Sequence, residues 1–222
     1  MQLPHKVIAG WWFVHRLRTA GTQGPVKLNV GAGGTAYEGW ISAERHHLDI
    51  TRPERFCRML AGTKVERVLA EHVVEHVYRS DFEGFLAGIK PFMAEGGTIR
   101  IAVPDALHPS EYVRRLTEPG GLEPGADDHK EFYSIYDMRE IAAGAGYALD
   151  PVEYFDDEGA FHHRSDDWTR GYVSRSLKNY RGRFTSDPGE LQKLHDSLPE
   201  RAKEQFVSMN ITYTSLIVDF VA

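Results

Sequence analysis

His72-Val73-Val74-Glu75-His76 sets two imidazoles and a carboxylate within five positions, and Gly31-Ala32-Gly33-Gly34 follows an apolar run that ends at Val30. These are the two stretches whose residue types and spacing can do chemistry. The first reads as H-x-x-E-H, a pattern in which two histidines hold zinc and the glutamate acts as base. Four residues apart on a helix, the histidines share one face. A peptidase needs a further ligand downstream, and no clear glutamate stands out for it. The pattern also sits directly after a buried apolar strand, in a βαβ setting.

The glycines invite a different ligand. A glycine-rich turn after a buried strand lets backbone approach a ligand closely, because no Cβ intervenes. Gly31-Ala32-Gly33-Gly34-Thr35-Ala36 fits the G-x-G-x-x-A dinucleotide fingerprint. In a dinucleotide enzyme that loop opens a helix whose N-terminus holds the pyrophosphate. Here only residues 35–39 separate the glycines from the next strand, too few for such a helix, which disfavours a dinucleotide oxidoreductase. A nucleoside ligand without phosphate has no need of the helix. It needs an acid for its ribose hydroxyls and a groove for its base. Glu44, ending the second strand, suits the ribose. Asp49, ending a third short strand, suits the adenine edge, with Leu48 and Ile50 as apolar walls.

Short apolar runs alternate with helical patterns, which reads as βαβ units around a mainly parallel sheet. Strands are expected at 26–30, 40–44, 47–50, 65–70, 98–103, 147–155 and 213–221. Helices are expected at 73–78, 82–93, 110–116, 134–145 and 188–207, after a leading amphipathic helix within residues 1–24. The acidic, Gly/Pro-rich stretch 119–128 reads as a loop or lid. The chain finishes in a strand after a long insertion (156–210), which fits an added antiparallel last strand. The expected fold is therefore α/β and Rossmann-like, a single domain over 1–222 with helices on both faces.

Composition narrows the function classes. Hydrophobic content of 41% and charged content of 26% are those of an ordinary globular chain, and 222 residues suffice for one core. A formal charge of −6 argues against a nucleic-acid partner, which calls for a basic face. The single cysteine, Cys57, excludes an internal disulfide and a Cys-rich zinc site. No apolar run reaches bilayer length, and the apolar stretch 7–14 does not lead into the small residues of a signal-peptide cleavage site. A cytoplasmic protein without stable membrane insertion is expected. Trp11-Trp12-Phe13, close to Arg16 and Arg18, touches a membrane surface only on an alternative reading. Nothing in the sequence sets an oligomeric state.

Lys27-Leu28-Asn29-Val30-Gly31-Ala32-Gly33, followed by Gly39-Trp40-Ile41-Ser42-Ala43-Glu44, resembles the compact branch of class I S-adenosylmethionine-dependent methyltransferases, whose first two strands are joined by a shortened link. Glu71-His72-Val73-Val74-Glu75-His76-Val77 is similar to that family's segment after strand four. Lys90-Pro91-Phe92-Met93-Ala94-Glu95-Gly96-Gly97, running into Ile101-Ala102-Val103-Pro104-Asp105, looks like its turn and strand five. The likeness lies in order and spacing, over about residues 26–150 and the closing 213–219. It implies S-adenosylmethionine as cofactor, surrounded by Gly31, Ala32, Gly33, Glu44, Asp49 and the strand end near Glu71, with the flanking Asn29, Ile50 and His72 added. Glu44 stands where the family usually carries aspartate.

Methyl transfer from a sulfonium needs chiefly alignment of the acceptor, and an oxygen acceptor also needs its proton removed. His72, His76, Asp105 and His108 lie at strand ends where open α/β sheets bind ligands, and His129 joins them from the lid. Asp105, His129 and His76 are taken as catalytic. The resemblance also allows Glu75, His76 and His129 to hold a divalent ion that orients an alcohol. His72, however, stands where such enzymes carry glutamate, and no metal is assigned. The stretch 161–181 carries Phe161, Trp168, Tyr172 and Tyr180 among Arg164, Arg170, Arg175 and Arg181. It suits a small polar or glycan-type acceptor methylated at oxygen, and equally a lobe whose arginines pair with Asp156, Asp157, Asp166 and Asp167. A non-catalytic nucleoside-binding or regulatory module is the alternative.

Overall fold

The computed structural model describes residues 5–166, 168–177 and 215–222, with 192, 195, 196, 200 and 203 besides. Runs of branched and apolar residues form β1 (Val26–Val30), β2 (Trp40–Ala43), β3 (Val65–Glu71), β4 (Met93–Pro104), β5 (Ala148–Phe155), β6 (Phe161–His163) and β7 (Ser215–Val221). They pair into one sheet in the order β2-β1-β3-β4-β7-β5-β6. The first four strands are parallel. β7 runs antiparallel to both of its neighbours, β4 and β5, and β6 folds back on β5. A mainly parallel, Rossmann-like α/β sheet with an antiparallel last strand is the expected fold class.

Period-two alternation along the strands divides the interior into two faces. Leu28, Val30, Val68, Ala70, Ile99, Ile101, Val218 and Phe220 point to one of them. There they meet Leu17 of α1 (His5–Gly21), Leu60 of α2 (Pro53–Leu60), Phe82, Phe85 and Leu86 of α3 (Arg79–Ile89), and Ile135, Met138 and Ile141 of α5 (Ile135–Ala145). On the opposite face Leu69, Ala102, Val152 and Ile217 pack, among the described residues, against Val173, Tyr37, Trp40 and Trp168. A short α4 (Glu111–Thr117) follows β4.

Helix α5 forms over the expected stretch. Ser134 and Asp137 make a reciprocal capping box, and Gly146 closes the helix at φ +71°. Several boundaries differ from expectation. Residues 47–50 are no strand: the amides of His47 and Leu48 turn back to the Glu44 carbonyl at 2.7 and 2.9 Å, and Asp49 forms an Asx turn onto Thr51 before Pro53 starts α2. Leu48 and Ile50 are buried all the same. The helix expected at 73–78 is a single 3-10 turn, Val74–His76. The helix expected at 82–93 starts earlier, at Arg79, and stops at Ile89, ahead of Pro91, so β4 begins at Met93 rather than 98. Helix α2 and the short β6 were not anticipated. The polar helix expected at 188–207 lies mostly outside the described residues.

The described part of the insertion is pinned to the sheet by charge. Arg100 of β4 is fully buried. It reaches Asp219 of β7 through Nε and Nη2 at 2.8 Å each, Asp166 through Nη2 at 2.7 Å, and the Gly171 carbonyl through Nη1 at 2.8 Å. Arg164 and Arg170 both lie 3.2 Å from Asp219 and also contact Asp150. Burial, the largest single effect, would raise the Asp166 carboxyl, yet the hydrogen bonds from Arg100 and the Trp168 amide and the charges of Arg100 and Arg164 together hold the group below its ordinary value. Two of the insertion's arginines are thus engaged inside the lobe. Among the described residues no helix is long and apolar enough to cross a membrane.

Candidate functional site

β1 lies between β2 and β3, so the chain leaves the carboxyl end of β1 to one side and later crosses to the other. Such a reversal opens a crevice outside the strand ends. The glycine loop sits there, with Gly31, Gly33 and Gly34 at φ of +63°, +56° and +85°. A Cβ on Gly31 would stand 2.5 Å from Cγ2 of Val73, so this backbone can pass only as glycine. At Gly33 and Gly34 a Cβ would meet no atom of the described residues within 4 Å. Residues 31–39 contain turns and no helix.

Two cavities meet at this crevice. The larger, about 310 Å³, is lined by Asn29, Gly31, Ala32 and Gly33 from β1 and its loop, by Glu71 and His72 from the end of β3, and by Glu75, His76 and His129. The smaller, about 170 Å³, is lined by Leu48, Asp49 and Ile50, by Val73 and Val77, and by Gly31, His72 and His76, which it shares with the first. Glu44, just after β2, reaches the loop: its Oε1 accepts from the Gly34 amide at 3.3 Å. Asp49 Oδ1 accepts from the Thr51 amide and hydroxyl at 3.1 and 2.8 Å.

At the end of β3 the backbone is strained. His72 has φ +53°, in the left-handed region, and its amide donates to the Ala102 carbonyl at 2.8 Å. Such a conformation in a non-glycine residue costs about 1–3 kcal/mol and persists where its surroundings impose it. The His72 Nδ1–H donates to Glu75 Oε1 at 2.9 Å, and Nε2 lies 3.2 Å from Ser215 Oγ. Both ring nitrogens are engaged and no α-helix carries the motif. The H-x-x-E-H peptidase reading therefore fails on geometry.

Glu75 is 1% exposed, and its second oxygen, Oε2, has no hydrogen-bond partner among the described residues. Its backbone carbonyl accepts from the Lys130 and Glu131 amides at 2.7 and 3.2 Å, which brings the lid segment to the 3-10 turn. His129 is thereby set 4.7 Å from the His76 ring, edge to face. His129 Nδ1 donates to the Thr117 carbonyl at 2.7 Å. Asp128 lies 3.7 Å from His76 Nδ1.

Asp105 is not brought to this corner. It is 4% exposed and lines neither cavity; Oδ1 accepts from the Leu107 amide at 2.9 Å and Oδ2 from the Phe155 amide at 2.8 Å. Burial pushes its carboxyl up to about 7. His108 is buried against Phe155. Arg175, named from the sequence on the acceptor side, lines the larger cavity, and so do Tyr37, Glu123 and Ser174, which sequence reading missed. Glu71 Oε1 accepts from the Ser174 amide at 2.8 Å and from its hydroxyl, and Arg175 pairs with Glu123 at 2.6 Å. A strap from the insertion thus joins the cavity wall at Glu71 and Glu123, and no local pattern announces so distant a contact.

The arrangement offers a phosphate-free nucleoside an acid, an apolar slot and open backbone. Beside it stands a corner of imidazole and carboxylate that can orient a polar group. No family model matches the chain, and no curated protein is similar to it in sequence. Solved structures to which it is similar include a SAM-dependent methyltransferase from Archaeoglobus fulgidus, at 13% identity over 96% of this chain and 93% of that one, TM-score 0.45. Another is the magnesium protoporphyrin IX methyltransferase of Synechocystis PCC 6803 with bound SAH, at 12% identity over 72% and 85%, TM-score 0.38. A third is an O-methyltransferase family protein from Burkholderia thailandensis, at 10% identity over 66% and 55%, TM-score 0.39.

Proposed function

We propose that the chain is a class I S-adenosylmethionine-dependent methyltransferase that acts on a small polar or glycan-type acceptor at oxygen. The observation that carries the reading is the contact between Glu44 and the Gly34 amide at the sheet's switch point, on a loop with no helix behind it. Glu44 can exchange that single long hydrogen bond for two ribose hydroxyls. Asp49, between buried Leu48 and Ile50, suits the exocyclic amine of adenine in the smaller cavity. Gly31, Gly33 and Asn29 border the larger cavity and would hold the amino-acid portion of the cofactor. When bound, S-adenosylmethionine supplies an activated methyl group.

The chain's own task is alignment and proton handling. The corner of Glu75, His76 and His129 faces the larger cavity and serves to orient the acceptor hydroxyl and hold its proton. Asp105, though named by sequence, is held by two backbone amides away from the cavities and supports the β4–β5 framework instead. Ser174 and Arg175 on the cavity wall add polar groups suited to a small polar acceptor.

Calorimetry on the full chain with S-adenosylmethionine, S-adenosylhomocysteine and NAD tests the reading. The first two are expected to bind one per chain and NAD not at all. Absence of binding by both sulfur nucleosides would remove the proposal, and tight NAD binding would replace it.

A further inference from the structure

A third cavity, of about 300 Å³, lies between the β5–β6 edge of the sheet and the insertion. Among the described residues its walls include Glu153, His163, Arg164, Ser165, Asp166 and Trp168, none of which lines the other two cavities. A row of aromatic rings connects it with the larger cavity. Tyr37, on the wall of the larger cavity, lies 5.7 Å from the Tyr172 ring, and Tyr172 lies 6.3 Å from the ring of Trp168, on the wall of the third. Tyr172 is 40% exposed, so the middle of the row faces solvent. Each step along it is comparable to the advance of one pyranose ring in a saccharide chain.

The far end of the row is held in place at a cost. Trp168 stands in the left-handed region at φ +65°, where a bulky residue is strained. Its amide donates to Asp166 Oδ1 at 2.6 Å, and its carbonyl accepts the Gly171 amide at 3.0 Å. Asp166 is itself held by buried Arg100, whose guanidinium also lies 5.4 Å from the centre of the indole ring. Strain imposed by its surroundings in this way clusters at ligand clamps. Across the cavity Glu153 is 3% exposed, and its Oε2 accepts the Leu177 amide at 2.8 Å. Burial pushes its carboxyl up to about 7, so near neutrality the group can both donate and accept.

Charge selects the ligand. Arg164 supplies the permanent cation on this wall, and it is already paired with Asp150 at 3.1 Å and with Asp166 and Asp219 at 3.2 Å each. With Glu153 and Asp166 beside it, the wall disfavours a phosphate or a carboxylate. Carboxyl, hydroxyl and imidazole groups next to aromatic rings suit a neutral polyhydroxyl ligand instead. The C–H faces of a sugar cover the rings, and its hydroxyls take the polar groups. We propose that the third cavity and the row Tyr37, Tyr172 and Trp168 form a binding site for a neutral saccharide, holding the sugar units that adjoin the one presented in the larger cavity. That the bound chain is the methyl acceptor rests on the proposed methyl transfer; saccharide binding itself does not.

The test is saturation-transfer NMR on the full chain, with and without saturating S-adenosylhomocysteine. Maltotriose, cellotriose and triacetylchitotriose serve as neutral probes and trigalacturonate as the acidic one. At least one neutral trisaccharide is expected to bind, and its single sugar unit about tenfold more weakly, because one ring covers only part of the row. Trp168→Ala and Tyr172→Ala should each weaken binding about tenfold. Tyr172→Ala, at an exposed position, decides the matter should Trp168→Ala fail to fold. Failure of all three neutral probes, binding unchanged in Tyr172→Ala, or tighter binding of trigalacturonate overturns the site. Nucleoside binding without saccharide binding removes the saccharide site alone. Saccharide binding without nucleoside binding supports the site and removes the methyl-transfer reading.

Discussion

The carbonyl of Glu75 accepts the amide of Lys130 at 2.7 Å, and through this one bond two distant parts of the chain form a single corner. On one side is the 3-10 turn after β3, and on the other the acidic lid that ends at His129. The same turn presents Val73 to Gly31. The glycine loop, the strained His72 and the lid are therefore mutually positioned, and changes in one should be felt in the others.

Gly31→Ala places a Cβ 2.5 Å from Val73 Cγ2 at φ +63°. Strain of this kind costs about 1–3 kcal/mol. The variant should unfold at lower denaturant concentration and lose most of its affinity for S-adenosylhomocysteine, both readable by urea titration and calorimetry. Gly33→Ala meets no atom of the described residues within 4 Å, so its cost should come from backbone conformation alone and be smaller.

Glu44→Gln should leave stability within about 0.5 kcal/mol, since among the described residues its side chain makes one 3.3 Å hydrogen bond, to the exposed Gly34 amide. Its nucleoside affinity should fall about 10- to 100-fold, the worth of a charged hydrogen bond. Equal losses in stability and affinity would point to a merely structural role.

Arg100→Leu leaves Asp166 and Asp219 buried without their principal cation. Breaking a buried pair from one side costs about 3–5 kcal/mol. The denaturation midpoint should drop accordingly at an unchanged m-value. A stability close to that of the wild type would show that Arg164 and Arg170 suffice to neutralise the cluster.

Burial raises the Asp105 carboxyl from the ordinary 3.8 to about 7. The folded state thus holds a proton that the unfolded state releases. The contribution is fully present below pH about 4 and is lost as pH rises through about 7, at about 1.4 kcal/mol per pH unit inside that window. Glu153, raised by burial to about 7, acts in the same direction. Asp105→Asn should remove its share. The stability of wild type relative to the variant, followed by urea denaturation from pH 4 to 8, should decline with pH; a flat difference would show that Asp105 stays ionised.

Local signals carried well into this fold. The end of β1 at Val30 and the end of α5 at Gly146 depend on neighbouring residues, and both stand where the residue types suggest. The stretch 47–50 misled because Leu48 and Ile50 alternate like a strand, while Asp49 and Thr51 prefer an Asx turn that the alternation does not register. The spacing of His72 and His76 allowed a shared helical face, and the strained turn that stands there instead was hidden, because left-handed backbone at a non-glycine residue has no sequence signature. Pro104-Asp105 looked like a strand end facing the ligand; the carboxylate's capture by Phe155, from β5, is a tertiary contact no motif encodes. The strap at Ser174 was hidden for the same reason.

A crystal of the full chain grown with S-adenosylhomocysteine tests the central claim most directly. The account predicts its ribose hydroxyls on Glu44, its adenine between Leu48 and Ile50 with the amine toward Asp49, and its homocysteine along Gly31 to Gly33. Density elsewhere on the protein, or a crevice that holds only solvent at saturating ligand, would contradict it.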